Sequence, residues 1–172
     1  LLRSQDIEKV HTVSFALEDV KATLHYDLNL NVSGVKIEGK EGDILNIPRW
    51  VAQILESQGH ITMDDTDMVV ELKQSIVKEN VQGDFELSTL DPYFYIKLKS
   101  YMKKLNRHDY DKVESMLNTL VRKRHGKIIN LADSSRLTGD IAKKLTVEEH
   151  EFYNNLHNIC NSFTKSILGD KK

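Results

Sequence analysis

The sequence predicts an α+β fold, with a small N-terminal β-rich domain over residues 1–46 and an all-α helical bundle over residues 47–172. Three observations carry this expectation. Short alternations of β-branched residues, punctuated by glycines, dominate up to about residue 44. Apolar residues recur at helical spacing from Pro48 onward. Residues 90–131, LDPYFYIKLKSYMKKLNRHDYDKVESMLNTLVRKRHGKIINL, read as two strongly patterned helices with more apolar surface than one short helix can hide.

In the N-terminal part the strand-like runs are Val10, Val13 and Phe15, then Val20 to Tyr26, then Val32 to Ile37, with Gly34, Gly39 and Gly42 supplying turns. A unit of about 40 residues sits near the size at which an independent core becomes marginal, so it is expected to lean on the helical part or on a partner. Asn46 to Pro48 punctuates the chain, and PRWVAQILESQG follows as a short helix with Pro48 in its first turn and Gly59 as its stop. Its inward face is expected to comprise Trp50, Val51, Ile54 and Leu55. A further helix is expected from Asp65 to Lys78, where Met68, Val69, Leu72 and Ile76 repeat at helical spacing.

The helix after Gly83 opens with Asp91 as cap and Pro92 in the first turn, and Tyr93, Phe94, Ile96, Leu98, Tyr101, Met102 and Leu105 spread over more than half its circumference. Such coverage asks for neighbours on two sides. The next helix begins at Asn106, with Asp109 three residues later, and carries Val113, Met116, Leu117, Leu120, Val121, Ile128 and Leu131 to an expected end near Asn130. Asp133, Ser134, Ser135 and Gly139 weaken the pattern over 132–145, which reads as a loop or a frayed helix. Thr146 and Glu149 form a capping box for a last helix to about Ile167, with Phe152, Leu156, Ile159, Cys160, Phe163 and Ile167 as its apolar face.

Composition excludes little, and the expectation of a non-catalytic intracellular protein rests on motifs and segments. A formal net charge of -2 gives no global field for nucleic acid, though it leaves room for a local basic patch. The single cysteine, Cys160, excludes an internal disulfide and fits core packing in a reducing compartment. No run approaches a membrane span, and no basic-then-apolar signal segment opens the sequence. The seven histidines are dispersed without HExxH or paired-cysteine spacing, so neither a metal nor a cofactor is expected. GVKIEGKEGD lacks both nucleotide-loop patterns and reads as turns. Ser134 and Ser135 lie in no nucleophile elbow, and Glu148, Glu149 and Glu151 are explained by the helix N-terminus they occupy.

The sharpest charge feature is RKRHGK at 122–127. Its cations face water, or Arg122, Arg124 and Lys127 meet an acidic partner surface, or Arg122, Lys123, Arg124 and Lys127 contact DNA phosphates. Asp109, Asp111 and Glu114 dilute the field that the last alternative requires. Tyr93, Phe94 and Tyr101 are expected to pack, with part of this aromatic set at a subunit junction.

Three segments, DILNIPRWVAQILESQGHI at 43–61, STLDPYFYIKLKSYM at 88–102 and LVRKRHGKIINLA at 120–132, together resemble a GINS subunit, most closely the archaeal class whose small β domain precedes the helical domain. Pro48 and Trp50 carry the first match, Tyr93 and Phe94 the second, and Arg124, Lys127 and Ile128 the third. The resemblance implies a non-catalytic scaffold within a 2:2 heterotetramer with a second, helical-domain-first class of subunit. It further implies association with the hexameric MCM replicative helicase and a Cdc45 or RecJ-like protein, with DNA contact weak or indirect. The implied location is the cytoplasm or nucleoid of an archaeon or a eukaryotic nucleus. A basic-patch DNA-binding module without enzymatic activity is the alternative.

Overall fold

A computed structural model describes residues 4–64, 67–134 and 137–169. The chain divides into two compact units between Asp67 and Met68.

In the first unit, helix α1 (Ser4–Leu17) precedes strands β1 (Asp19–Leu24), β2 (Leu28–Val32), β3 (Val35–Gly39) and β4 (Ile44–Pro48), then helix α2 (Arg49–Ser57) and strand β5 (Ile61–Met63). An antiparallel sheet runs in the order β4-β1-β5, with Val20 opposite Ile47 and Ala22 opposite both Leu45 and Met63. Val20, Ala22 and Leu24 alternate inward along β1 and are buried, which is the period of two that the sequence shows there. β2 and β3 form a hairpin closed by Ser33 and Gly34, both at positive φ (50° and 89°). That left-handed pair matches the twist of the flanking strands, and Asn31 Oδ1 accepts from the Gly34 N–H at 2.9 Å. Gly59, at φ 78°, ends α2 in a Schellman arrangement: its N–H donates to the Glu56 carbonyl and the His60 N–H to that of Leu55.

Three expectations change here. Val10, Val13 and Phe15 lie on a helix, not a strand: Val10 and Val13, three apart, share its exposed side, while Phe15, two residues on, falls on the opposite side and turns inward, with the Arg49 guanidinium 4.4 Å from its ring centroid. On α2 the buried residues are Val51, Ala52 and Leu55, while Trp50 is half-buried and Ile54 exposed. The division expected after residue 46 falls later, because those α2 residues share one core with the sheet and β5 pairs with β1.

The second unit is all helical: α3 (Met68–Val81), α4 (Phe94–Met102), α5 (Arg107–Ser134), α6 (Gly139–Ala142) and α7 (Val147–Leu168). The Asp65 start expected for α3 and Ser135 lie outside the described residues. Asp91 holds the entry to α4, its carboxylate accepting from the Tyr93 N–H at 2.8 Å. Asn106 and Asp109 bond each other at the start of α5 as their spacing predicts. α5 continues through Ser134, past its expected end, because Leu131 and Ala132 are buried against α7 residues including Tyr153. α6 is a single turn capped by Thr138. The Thr146–Glu149 capping box forms in full. One apolar cluster gathers α3, α4 and the first half of α5 around Leu72, Phe94, Leu98 and Leu120, and a second gathers the end of α5 and the start of α7 around Ile128, Leu145 and Tyr153.

Candidate protein-interaction surface

The helical period of α5 divides the basic run by phase. Leu120, Arg124, Lys127, Ile128 and Leu131 share one face and are all buried, whereas Arg122, Lys123 and His125 point outward. Arg124 has no solvent exposure at all. Its Nε and Nη2 grip the two carboxylate oxygens of Glu149 at 2.6 and 2.7 Å, Nη1 donates to Glu79 Oε2 and to the Ser88 carbonyl at 2.8 Å each, and Nη2 also reaches the Lys144 carbonyl at 2.9 Å. A two-point grip of this kind fixes orientation as well as distance.

The carboxylates are satisfied in turn. Glu79 Oε2 accepts from the Ser88 N–H (3.1 Å) and hydroxyl (2.5 Å), and Lys127 Nζ lies 2.8 Å from Glu79 Oε1. Lys127 also donates to the Glu79 and Gln82 carbonyls, which close the last turn of α3. Glu149 accepts from the Tyr95 hydroxyl at 2.7 Å and from the Thr146 N–H at 3.1 Å. Burial pushes the Glu79 carboxyl up, but hydrogen bonds from Lys127 and Ser88 and the charge of Arg124 outweigh it and hold the group below the usual carboxylate range. Burial disfavours the Arg124 cation, yet its bond to Glu149 leaves the guanidinium more basic than usual. Burial and the Glu149 charge raise the Tyr95 phenol far enough that it stays a proton donor.

This arrangement does no visible chemistry; it locks α3, α4, α5 and α7 together through two cations and two carboxylates. Arg124 and Lys127 are therefore interior struts, with no face left for a partner or a phosphate. Phe94, fully buried, is likewise core, while Tyr93 and Tyr101 are half-buried. The network members Glu79, Ser88 and Tyr95 escaped the sequence reading. A signal existed: Arg124 stands at an apolar position between Leu120 and Ile128, where a charge demands buried partners.

Among the exposed surfaces of the bundle, α7 carries an apolar stripe. On α7, Ile159, Phe163 and Ile167 are spaced by four residues and are 65%, 67% and 67% exposed. Phe152 and Leu156, two turns and one turn earlier, pack against the core. A helix that buries its first half and bares an apolar stripe on its second is shaped for a protein contact. A family model described as "Sld5: GINS complex protein helical bundle domain" matches residues 67–168, more than half of the chain and nearly all of the helical unit. The chain belongs to the GINS family.

No curated protein matches the chain. The family match starts at the division between the two units and covers every helix from α3 to α7. The GINS helical bundle is a non-catalytic structural module of a protein complex. Among the described residues no group of three or more His, Cys, Asp or Glu is arranged to hold a metal ion, and no helix is long and apolar enough to cross a membrane. Of the four Lys and Arg side chains in the basic run, Arg122 and Lys123 remain on the outside, and Lys123 bonds the Asn80 side chain.

Proposed function

We propose that the chain is a structural subunit of a GINS-type assembly, pairing with a second, helical-domain-first class of subunit in a 2:2 heterotetramer. In that assembly it holds components of the replicative helicase together: a hexameric MCM ring and a Cdc45 or RecJ-like protein. The observation that carries this reading is the apolar stripe Ile159, Phe163 and Ile167, bare on a helix whose first half is firmly anchored. Burying such side chains is worth about 1.5–3 kcal/mol each, which favours a partner over water. The β unit preceding the bundle supports the class of subunit. Tyr93, Tyr101 and Arg122 are assigned to the rim of subunit contacts, and Phe94, Arg124 and Lys127 to the scaffold beneath them.

Coexpression with a second-class GINS subunit, followed by light scattering, tests the assembly. The expected result is a four-chain particle, which then retains an MCM ring and raises DNA unwinding when the Cdc45 or RecJ-like protein is added. A chain that stays monomeric with every second-class subunit overturns it. Tight, salt-dependent DNA binding by the isolated chain, lost in the double variant Arg122→Gln/Lys123→Gln, would favour a DNA-binding module instead.

A further inference from the structure

Helix α3 bares an apolar stripe of its own. Val70, Val77 and Val81 follow one another at seven and four residues, fall on one side of the helix, and are 47%, 61% and 81% exposed. Valine is a poorer helix former than alanine, lysine or glutamine, so three of them facing water weaken α3 without adding to its core. The exposed charges of α3 are both basic: Lys73 flanks the stripe on one side and Lys78 on the other, while Glu71 is half-buried and Glu79 is taken up by Arg124 and Lys127. A third lysine, Lys123 of α5, joins the Lys73 side by bonding Asn80, which lies one turn from Val77. Beside Lys123, three residues on, α5 carries the exposed Gly126. A glycine inside a helix is less favourable than alanine, and the packing of this chain does not call for one here: among the described residues, a Cβ at Gly126 would meet no atom within 4 Å.

We propose that the valine stripe of α3 and the Gly126 notch of α5 together dock an amphipathic helix of a protein partner, its apolar side on the valines and its acidic borders against Lys73, Lys78 and Lys123. Helix axes pack 8–10 Å apart according to the side chains between them, and a bare glycine lets a second backbone come closer to α5 than any side chain would. The valines beside it supply the apolar area that such a crossing buries. Lysines on both sides of an apolar strip set the sign of the partner, because carboxylates along the docked helix would find a cation on either flank. A second copy of this chain does not suit the face, since its lysines would meet their own kind. The proposal uses none of the α7 residues that carry the heterotetramer, so the two stand or fall separately.

The test is selection of peptide helices from two displayed libraries against the full chain carrying Phe163→Ser, which weakens the α7 stripe as a competing site. The libraries share the same variable apolar faces and differ only at the border positions, all glutamate in one and all lysine in the other. Binders are expected from the glutamate library, with saturable NMR methyl shifts at Val70, Val77 and Val81 and an affinity that falls as salt is added. Gly126→Leu should weaken these peptides at least about tenfold. Gly126→Ala should raise the melting temperature of the chain and still weaken binding by a smaller factor, a pairing that a purely structural glycine would not give. The double variant Lys73→Glu/Lys123→Glu should move the preference toward lysine-bordered peptides, and phosphatidylserine vesicles should leave the valine shifts unchanged. Equal affinity for both borders, full affinity in Gly126→Leu, no binder that shifts the valines, or vesicles engaging the valines in place of peptides would each overturn the proposal.

Discussion

The two halves of α7 obey opposite rules. From Thr146 to His157 the helix is stitched into the bundle: Thr146 and Glu149 cap each other, Glu149 holds Arg124, Tyr153 is buried, and His157 reaches the Ala132 carbonyl at 2.8 Å. From Asn158 to Leu168 every residue but the half-buried Cys160 is exposed, including four large apolar ones. Both halves are comparably rich in apolar residues, so hydrophobicity alone does not separate them. What differs is whether the chain's own polar groups reach them. The first half is specified internally by directed bonds; the second presents apolar surface and few directed bonds, leaving its specification to whatever covers it.

The largest expected effect comes from cutting the internal half at its centre. Arg124→Ala leaves Glu149 buried without its cation and Glu79 with Lys127 alone, at a cost of roughly 3–5 kcal/mol. Urea unfolding of the isolated chain should show it, and a loss below about 1 kcal/mol would mean the network does not anchor α7. On the other half, Phe163→Ala should leave the isolated chain within about 0.5 kcal/mol of the parent while weakening subunit assembly by about 2 kcal/mol or more. Sedimentation of mixtures measures the second quantity; equal losses of folding and assembly would erase the distinction between the halves.

Acid should act on the anchored half alone. The Glu79 carboxyl is held below its ordinary value of 4.5, so its contribution is fully present above that pH and fades as pH falls through the lower folded value. The urea midpoint of the parent should therefore drop on acidification below pH 4.5, and Glu79→Gln should flatten that drop. The smallest effect is expected from Arg122→Gln, within about 0.5 kcal/mol for the isolated chain, since its side chain points away from the core. Circular dichroism melts would reveal any larger change.

Much of this contrast was legible in the sequence wherever the signal was local. The Thr146–Glu149 box, the Asn106–Asp109 pair and the Gly59 stop each depend on residues within a few positions of one another, and each forms as its spacing predicts, whereas the run read as one strand from Val32 to Ile37 is broken by the Ser33–Gly34 turn into β2 and β3. The failures are tertiary. Val10 and Val13 look like strand residues until Phe15 is seen packing as a helical side chain, and α2 joins the β unit only because Val51, Ala52 and Leu55 find the sheet. RKRHGK reads as a surface run because charge normally faces water. Helical phase instead sends Arg124 and Lys127 to one carboxylate, that of Glu79, 45 and 48 residues away in the chain. The apolar face of α7 was read in full as a stripe, but which part of it lacks cover depends on where α5 ends.

Hydrogen–deuterium exchange across α7, comparing the isolated chain with the chain bound to the second-class GINS subunit proposed as its partner, tests the central claim most directly. Residues 147–157 should be protected in both states, and residues 158–168 should gain protection only in the complex. Unchanged exchange over 158–168 on assembly would contradict the claim that this stripe is the subunit contact.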